Sequence, residues 1–82
     1  MSEDTTSGTV TQTLDASGLA CPMPIVRTRQ AIDKIASGER LEVISTDRGS
    51  LRDIPAWAES TGHTLLEVDD AGDRFTFLIQ KG

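Results

Sequence analysis

What this chain lacks narrows its function first. Its 82 residues include a single cysteine, so an internal disulfide framework is excluded, and a lone thiol fits a reducing compartment. No stretch approaches the roughly 20 consecutive apolar residues of a membrane span, and residues 1–9 lack the charged and apolar regions of a secretory signal. Cytoplasm is the expectation. An excess of positive charge is also missing. The formal net charge of −5 argues against direct nucleic-acid binding, which needs a cationic face to neutralise phosphates, and leans toward protein partners that present basic patches. Aromatics are few, and in so acidic a chain Trp57, Phe75 and Phe77 read as core rather than as a base-stacking platform. One cysteine and one histidine fall short of the three or four ligands that zinc takes. No metal or cofactor is therefore expected, and His63 reads as a surface residue at a strand entry.

A domain this small buries only somewhat more than about 60% of the surface its unfolded chain exposes, which leaves little room for an enclosed cavity. Chemistry is then expected on the surface or in a partner's pocket. Residues 1–9 are polar and without apolar periodicity and read as a disordered tail, leaving residues 10–82 as one domain. Val10 to Asp15 alternates as a strand, with Val10 and Leu14 on one face, and Ala16-Ser17-Gly18 reads as a turn. From Pro24 onward Ile25, Thr28, Ile32, Ile35 and Ala36 recur at helical spacing, with Gly38 as the left-handed stop. Arg40 to Thr46 reads as an interior strand, since both of its faces carry apolar residues.

Asp47 to Ser50 is a turn into a second helix that carries Leu51, Ile54, Ala58 and Thr61 and is stopped by Gly62. Ser50 and Asp53 have the spacing of a capping box, while Pro55 leaves open a start as late as Asp53. Thr64 to Val68 and Arg74 to Gln80 form a closing hairpin around Asp69 to Asp73, with Phe75, Phe77 and Ile79 on one face. The order β-α-β-α-β-β predicts an α+β fold: a two-layer sandwich with two helices on one face of a four-stranded mixed sheet. Right-handed crossover makes the first two strands parallel, so the Asp47 to Ser50 loop is expected beside the loop that carries Cys21.

Cys21 is the residue with chemistry to offer. Proline is favoured at a first helical position, which puts Cys21 at or next to the N-cap if the helix opens at Pro22. Met23 also precedes a proline, and that steers it away from helical geometry. If the helix opens only at Pro24, Cys21 stands about one turn before it. Either placement brings the thiol toward the positive end of a helix dipole, which favours the thiolate. Leu19, Ala20, Met23, Ile25 and Val26 form a candidate apolar docking rim. Arg27 and Arg29 read as a solvated helix face, with docking of an acidic partner as the alternative. Asp47 and Asp53 read as turn and cap residues rather than acid-base groups.

The run Leu14-Asp15-Ala16-Ser17-Gly18-Leu19-Ala20-Cys21-Pro22-Met23-Pro24 resembles the signature of the TusA/SirA sulfur-carrier family. Thr46-Asp47, Arg52 to Trp57 and Gly62-His63 resemble its second block, so the likeness spans residues 13–82. The resemblance implies a sandwich of the translation-initiation-factor C-terminal type, strand order 1-2-4-3 with the last strand antiparallel, and Cys21 as a persulfide carrier. It also implies a cysteine desulfurase or a rhodanese-like protein as donor, and a further relay protein as acceptor. The destinations it implies are tRNA uridine thiolation, molybdenum cofactor assembly and sulfur oxidation.

Two positions depart from that pattern. Arg48 stands where many relatives have proline, and Ala58 stands where some carry a second cysteine. With no second cysteine to resolve a persulfide internally, the sulfur has to leave for a partner, which suits a carrier better than a dithiol reductase. The expectation is a sulfurtransferase with Cys21 catalytic, Pro22 and Pro24 setting the helix start, Asp47, Arg48 and Ser50 as neighbours, and Leu19, Met23 and Arg27 as docking residues. The alternatives are a regulatory or scaffold module in which the thiol is incidental, and selenium in place of sulfur. A monomer is the default.

Overall fold

Strict alternation organises the sheet from its middle. A computed structural model describes residues 10–20 and 22–82; the expected tail at 1–9 and Cys21 lie outside the described residues. The elements are β1 (Gln12–Ala16), α1 (Met23–Ile32), β2 (Arg40–Ser45), α2 (Ser50–Thr61), β3 (Thr64–Asp70) and β4 (Phe75–Gln80). The sheet order is β1-β2-β4-β3, with β1 parallel to β2 and β4 antiparallel to both β2 and β3. Phe75, Phe77 and Ile79 of β4 pair with Ser45, Val43 and Leu41 of β2, and all six side chains are buried on one face. Ala31 and Ile32 of α1 and Ile54 of α2 close over that same face. The expected two-layer α+β sandwich is the fold observed, and each of the large apolar side chains is worth about 1.5–3 kcal/mol by its burial.

Several boundaries differ from the sequence reading. β1 begins at Gln12 and runs through Ala16; Val10 stands outside it and exposed, and Ala16 is a buried strand residue rather than part of the turn. α1 ends at Ile32 instead of continuing to Gly38. Beyond it the Lys34 N–H donates to the Ala31 carbonyl at 3.0 Å and the Ile35 N–H to Ile32 at 3.4 Å, a tighter i to i−3 spiral that still turns Ile35 inward. Gly38, at φ +88°, serves a separate turn closed by the Glu39 N–H on the Ala36 carbonyl at 2.9 Å.

α2 starts at Ser50 with Gly49 as its N-cap and no side-chain capping bond. The capping box does not form, because the Ser50 hydroxyl points inward to Ser45 Oγ at 2.8 Å. Pro55 is accommodated inside the helix, and Gly62 ends it at φ +84°, as expected. β2 stops at Ser45 rather than Thr46. β3 extends two residues beyond Val68, so the hairpin tightens to a turn in which the Ala71 N–H donates to the Arg74 carbonyl at 2.9 Å.

Candidate functional site

The parallel pairing of β1 and β2, with Ala16 opposite Ser45, brings the two following loops to one edge of the sheet. The first loop is shaped by its own amides. The Ser17 N–H donates to Asp15 Oδ1 at 3.0 Å, an Asx turn, and the Leu19 N–H donates to the Ala16 carbonyl at 3.2 Å. Between them Gly18 adopts φ +82°, a conformation that glycine enters at little cost, and its N–H donates to Thr46 Oγ1 at 2.8 Å. The Asp15 carboxyl lies below its ordinary range, chiefly because the Ser17 side chain and backbone N–H hydrogen-bond to its charged form.

The helix start resolves the two readings of the proline pair. Pro22 is the N-cap of α1 and not its first residue, while Met23 is helical in spite of the proline after it. The Met23 N–H donates to the Ala20 carbonyl at 2.9 Å, and the Val26 N–H to the Pro22 carbonyl at 3.1 Å. Pro24 is buried in the first turn, where a missing N–H leaves no donor unsatisfied. Cys21 precedes the N-cap in the sequence and lies outside the described residues, as does the thiol placement expected of it.

The second loop divides its residues between support and exposure. Ser45 Oγ accepts the Asp47 N–H at 3.2 Å, and the Asp47 carbonyl accepts the Ser50 N–H at 3.0 Å. Ser50 is only 2% exposed, so its hydroxyl braces the loop from below. Arg48 is exposed and lays its guanidinium over the Phe75 ring, 5.7 Å from the centroid, a cation–π contact. Asp53 faces Arg52 across 4.0 Å.

Of the expected docking residues, Leu19 is half-buried, Met23 is 37% exposed and Arg27 is exposed one turn along α1. Ile25 packs against the core instead; Ala20 is exposed and Val26 half-buried. His63 has a structural task the sequence did not announce. Its Nδ1 accepts the Gly82 N–H at 3.0 Å, and its ring lies 5.2 Å from that of Trp57. Thr46 was likewise missed as a side chain with its own role, because its partner Gly18 is 28 residues away.

This edge of the sheet falls within the match to a family model described as Sulfurtransferase TusA, which covers residues 12–81. The chain belongs to the TusA sulfur-carrier family. Among its relatives, the sulfur carrier protein TusA of Allochromatium vinosum is 49% identical over 70 residues, covering 85% of this chain and 92% of that one. YrkI of Bacillus subtilis is 58% identical over 69 residues, covering 84% and 92%. The fold agrees with the crystal structure of a SirA-like protein from Desulfitobacterium hafniense at a TM-score of 0.75, covering 87% of this chain and 97% of that one at 23% identity. Membership of the TusA family gives the chain a role as a sulfur carrier, with a sulfur donor on one side and an acceptor on the other. No helix among the described residues is long and apolar enough to cross a membrane.

Proposed function

We propose that the protein relays sulfane sulfur as a persulfide on Cys21, from a donor such as a cysteine desulfurase or a rhodanese-like protein to the thiol of an acceptor protein. The observation that carries this reading is that the only cysteine of the chain falls inside the stretch matched by the sulfurtransferase family model. In the loading step the Cys21 thiolate attacks the outer sulfur of the donor's persulfide. The donor's S–S bond breaks, the donor cysteine leaves as a thiolate with the electron pair, and Cys21-S-SH forms by the logic of thiol–disulfide exchange. In the unloading step an acceptor thiolate attacks that outer sulfur, and Cys21 is the leaving thiolate. Each step exchanges one S–S bond for another, so the carrier needs no outside oxidant or reductant.

The arrangement of the loop suits this traffic. Pro22 and Pro24 fix two backbone angles beside the cysteine, and the first turn of α1 offers a positive dipole end to an anion. Exposed Met23 and half-buried Leu19 give a partner apolar contact, and Arg27 gives it a charge. Arg48, held over Phe75, serves as scaffold for the second loop.

The stoichiometry of release tests the reading. After incubation with a cysteine desulfurase and cysteine, then desalting, dithiothreitol is expected to liberate a single sulfide per loaded chain from the wild type and none from Cys21→Ser. Equal release from Cys21→Ser would mean that sulfur is carried elsewhere and would reject the proposal.

A further inference from the structure

The first loop is held at both ends, and one of its holds comes from outside. We propose that Thr46 is a positioning residue for Cys21, its hydroxyl fixing the cysteine-bearing loop against the end of β2 by accepting the Gly18 amide. This rests on Cys21 being the sulfur-bearing residue. The bonds of Ser17 to Asp15 and Leu19 to Ala16 tie the turn back to the end of β1, the strand it leaves. The 2.8 Å bond from the Gly18 N–H to Thr46 Oγ1 ties that turn across to the end of β2, 28 residues away.

Thr46 is itself well founded. It follows Ser45, fully buried, whose Oγ takes the Asp47 N–H and meets the Ser50 hydroxyl. The backbone on both sides of Thr46 is therefore tied to the core edge. At the other end of the cysteine loop, Pro22 caps α1 and its carbonyl accepts the Val26 N–H. Leu19, Ala20 and Cys21 stand between the Gly18 and Pro22 anchors, the Leu19 N–H bonded to Ala16 and the Ala20 carbonyl to the Met23 N–H. Releasing the Thr46 tie loosens the loop on its β2 side, and misplacement of a reacting atom lowers rate without unfolding the protein. Because Thr46 is exposed, water replaces the lost acceptor and the stability cost stays small.

The test compares full-length wild type, Thr46→Val, which keeps the shape and removes the acceptor, and Thr46→Ser, which restores it. Three readouts are taken well below the melting transition: exchange of the Gly18 amide by NMR, the pH profile of Cys21 alkylation by iodoacetamide, and sulfur uptake from inorganic tetrasulfide by intact mass. In the uptake reaction the thiolate takes a terminal sulfur and trisulfide leaves with the electron pair. In Thr46→Val the Gly18 amide is expected to exchange faster, the alkylation profile to move to higher pH, and uptake to slow by about fivefold, the scale of one net hydrogen bond. Thr46→Ser is expected to return all three to wild-type behaviour. Unchanged Gly18 exchange in Thr46→Val, or faster exchange with unaltered alkylation and uptake, overturns the proposal. A wild type that takes up no sulfur overturns the carrier reading instead, and the exchange and alkylation comparison still decides the role of Thr46.

Discussion

At the scale of single residues, the structure gives side chains tasks that their sequence neighbourhoods did not disclose. Asp15 is held charged by Ser17, with a smaller contribution from Arg74. Its folded pKa lies below the unfolded one, so its contribution to stability is present above the ordinary carboxylate range and is lost as pH falls through the lowered value. Asp15→Asn, which cannot titrate, is expected to flatten the acid limb of a pH–melting curve below about pH 4, with a slightly lower melting temperature in the neutral region and no difference from the wild type at the acid end; an identical acid limb would contradict this. Gly62 closes α2 at φ +84°, with open space where a Cβ would project. Gly62→Ala should therefore meet no clash and cost only the left-handed strain, about 1 kcal/mol, seen as a fall in Tm of roughly 4–8 °C. Phe77, wholly buried in β4, belongs to the other extreme: Phe77→Ala is expected to lose about 3–5 kcal/mol in a denaturant titration.

At the scale of elements, what was legible in the sequence followed from periodicity, and what was not followed from distant partners. β2 and β4 could be read because alternate residues face one core, and Gly62 because a left-handed stop is a local demand. α1 is shorter than its spacing predicts: Ile32 and Ile35 face inward, a spacing that a tighter spiral satisfies as well as a helix does, while Ala36 is exposed. The capping box at Ser50 and Asp53 had the right spacing, but the Ser50 hydroxyl was already engaged by Ser45, a residue of another strand. Cys21 is legible as the chain's single cysteine, whereas Thr46 reads as the end of a strand, and only the fold brings Gly18 against its hydroxyl. The strand order itself makes a prediction. β2 and β4 are paired on both sides while β1 and β3 are edges, so amides of β2 and β4 should exchange most slowly in native-state hydrogen exchange. Faster exchange in β4 than in β1 would contradict the sheet order.

At the scale of the whole molecule, a small acidic sandwich spends its interior on holding one sheet against two helices, and the proposed chemistry is assigned to a single edge. That edge gathers the ends of β1 and β2 and the start of α1, where the loop bearing the chain's only thiol is anchored on either side. A carrier of this kind has to load, hold and release sulfur without a second cysteine of its own, and in the proposed function Cys21 alone does so. Peptide mapping by mass spectrometry after incubation with a cysteine desulfurase and sulfur-labelled cysteine tests it most directly. One labelled sulfur atom is expected on the peptide containing Cys21, removed by a thiol reductant and absent from Cys21→Ser, whose circular dichroism and melting remain those of the wild type. Label missing from the Cys21 peptide, or retained elsewhere in Cys21→Ser, would contradict it.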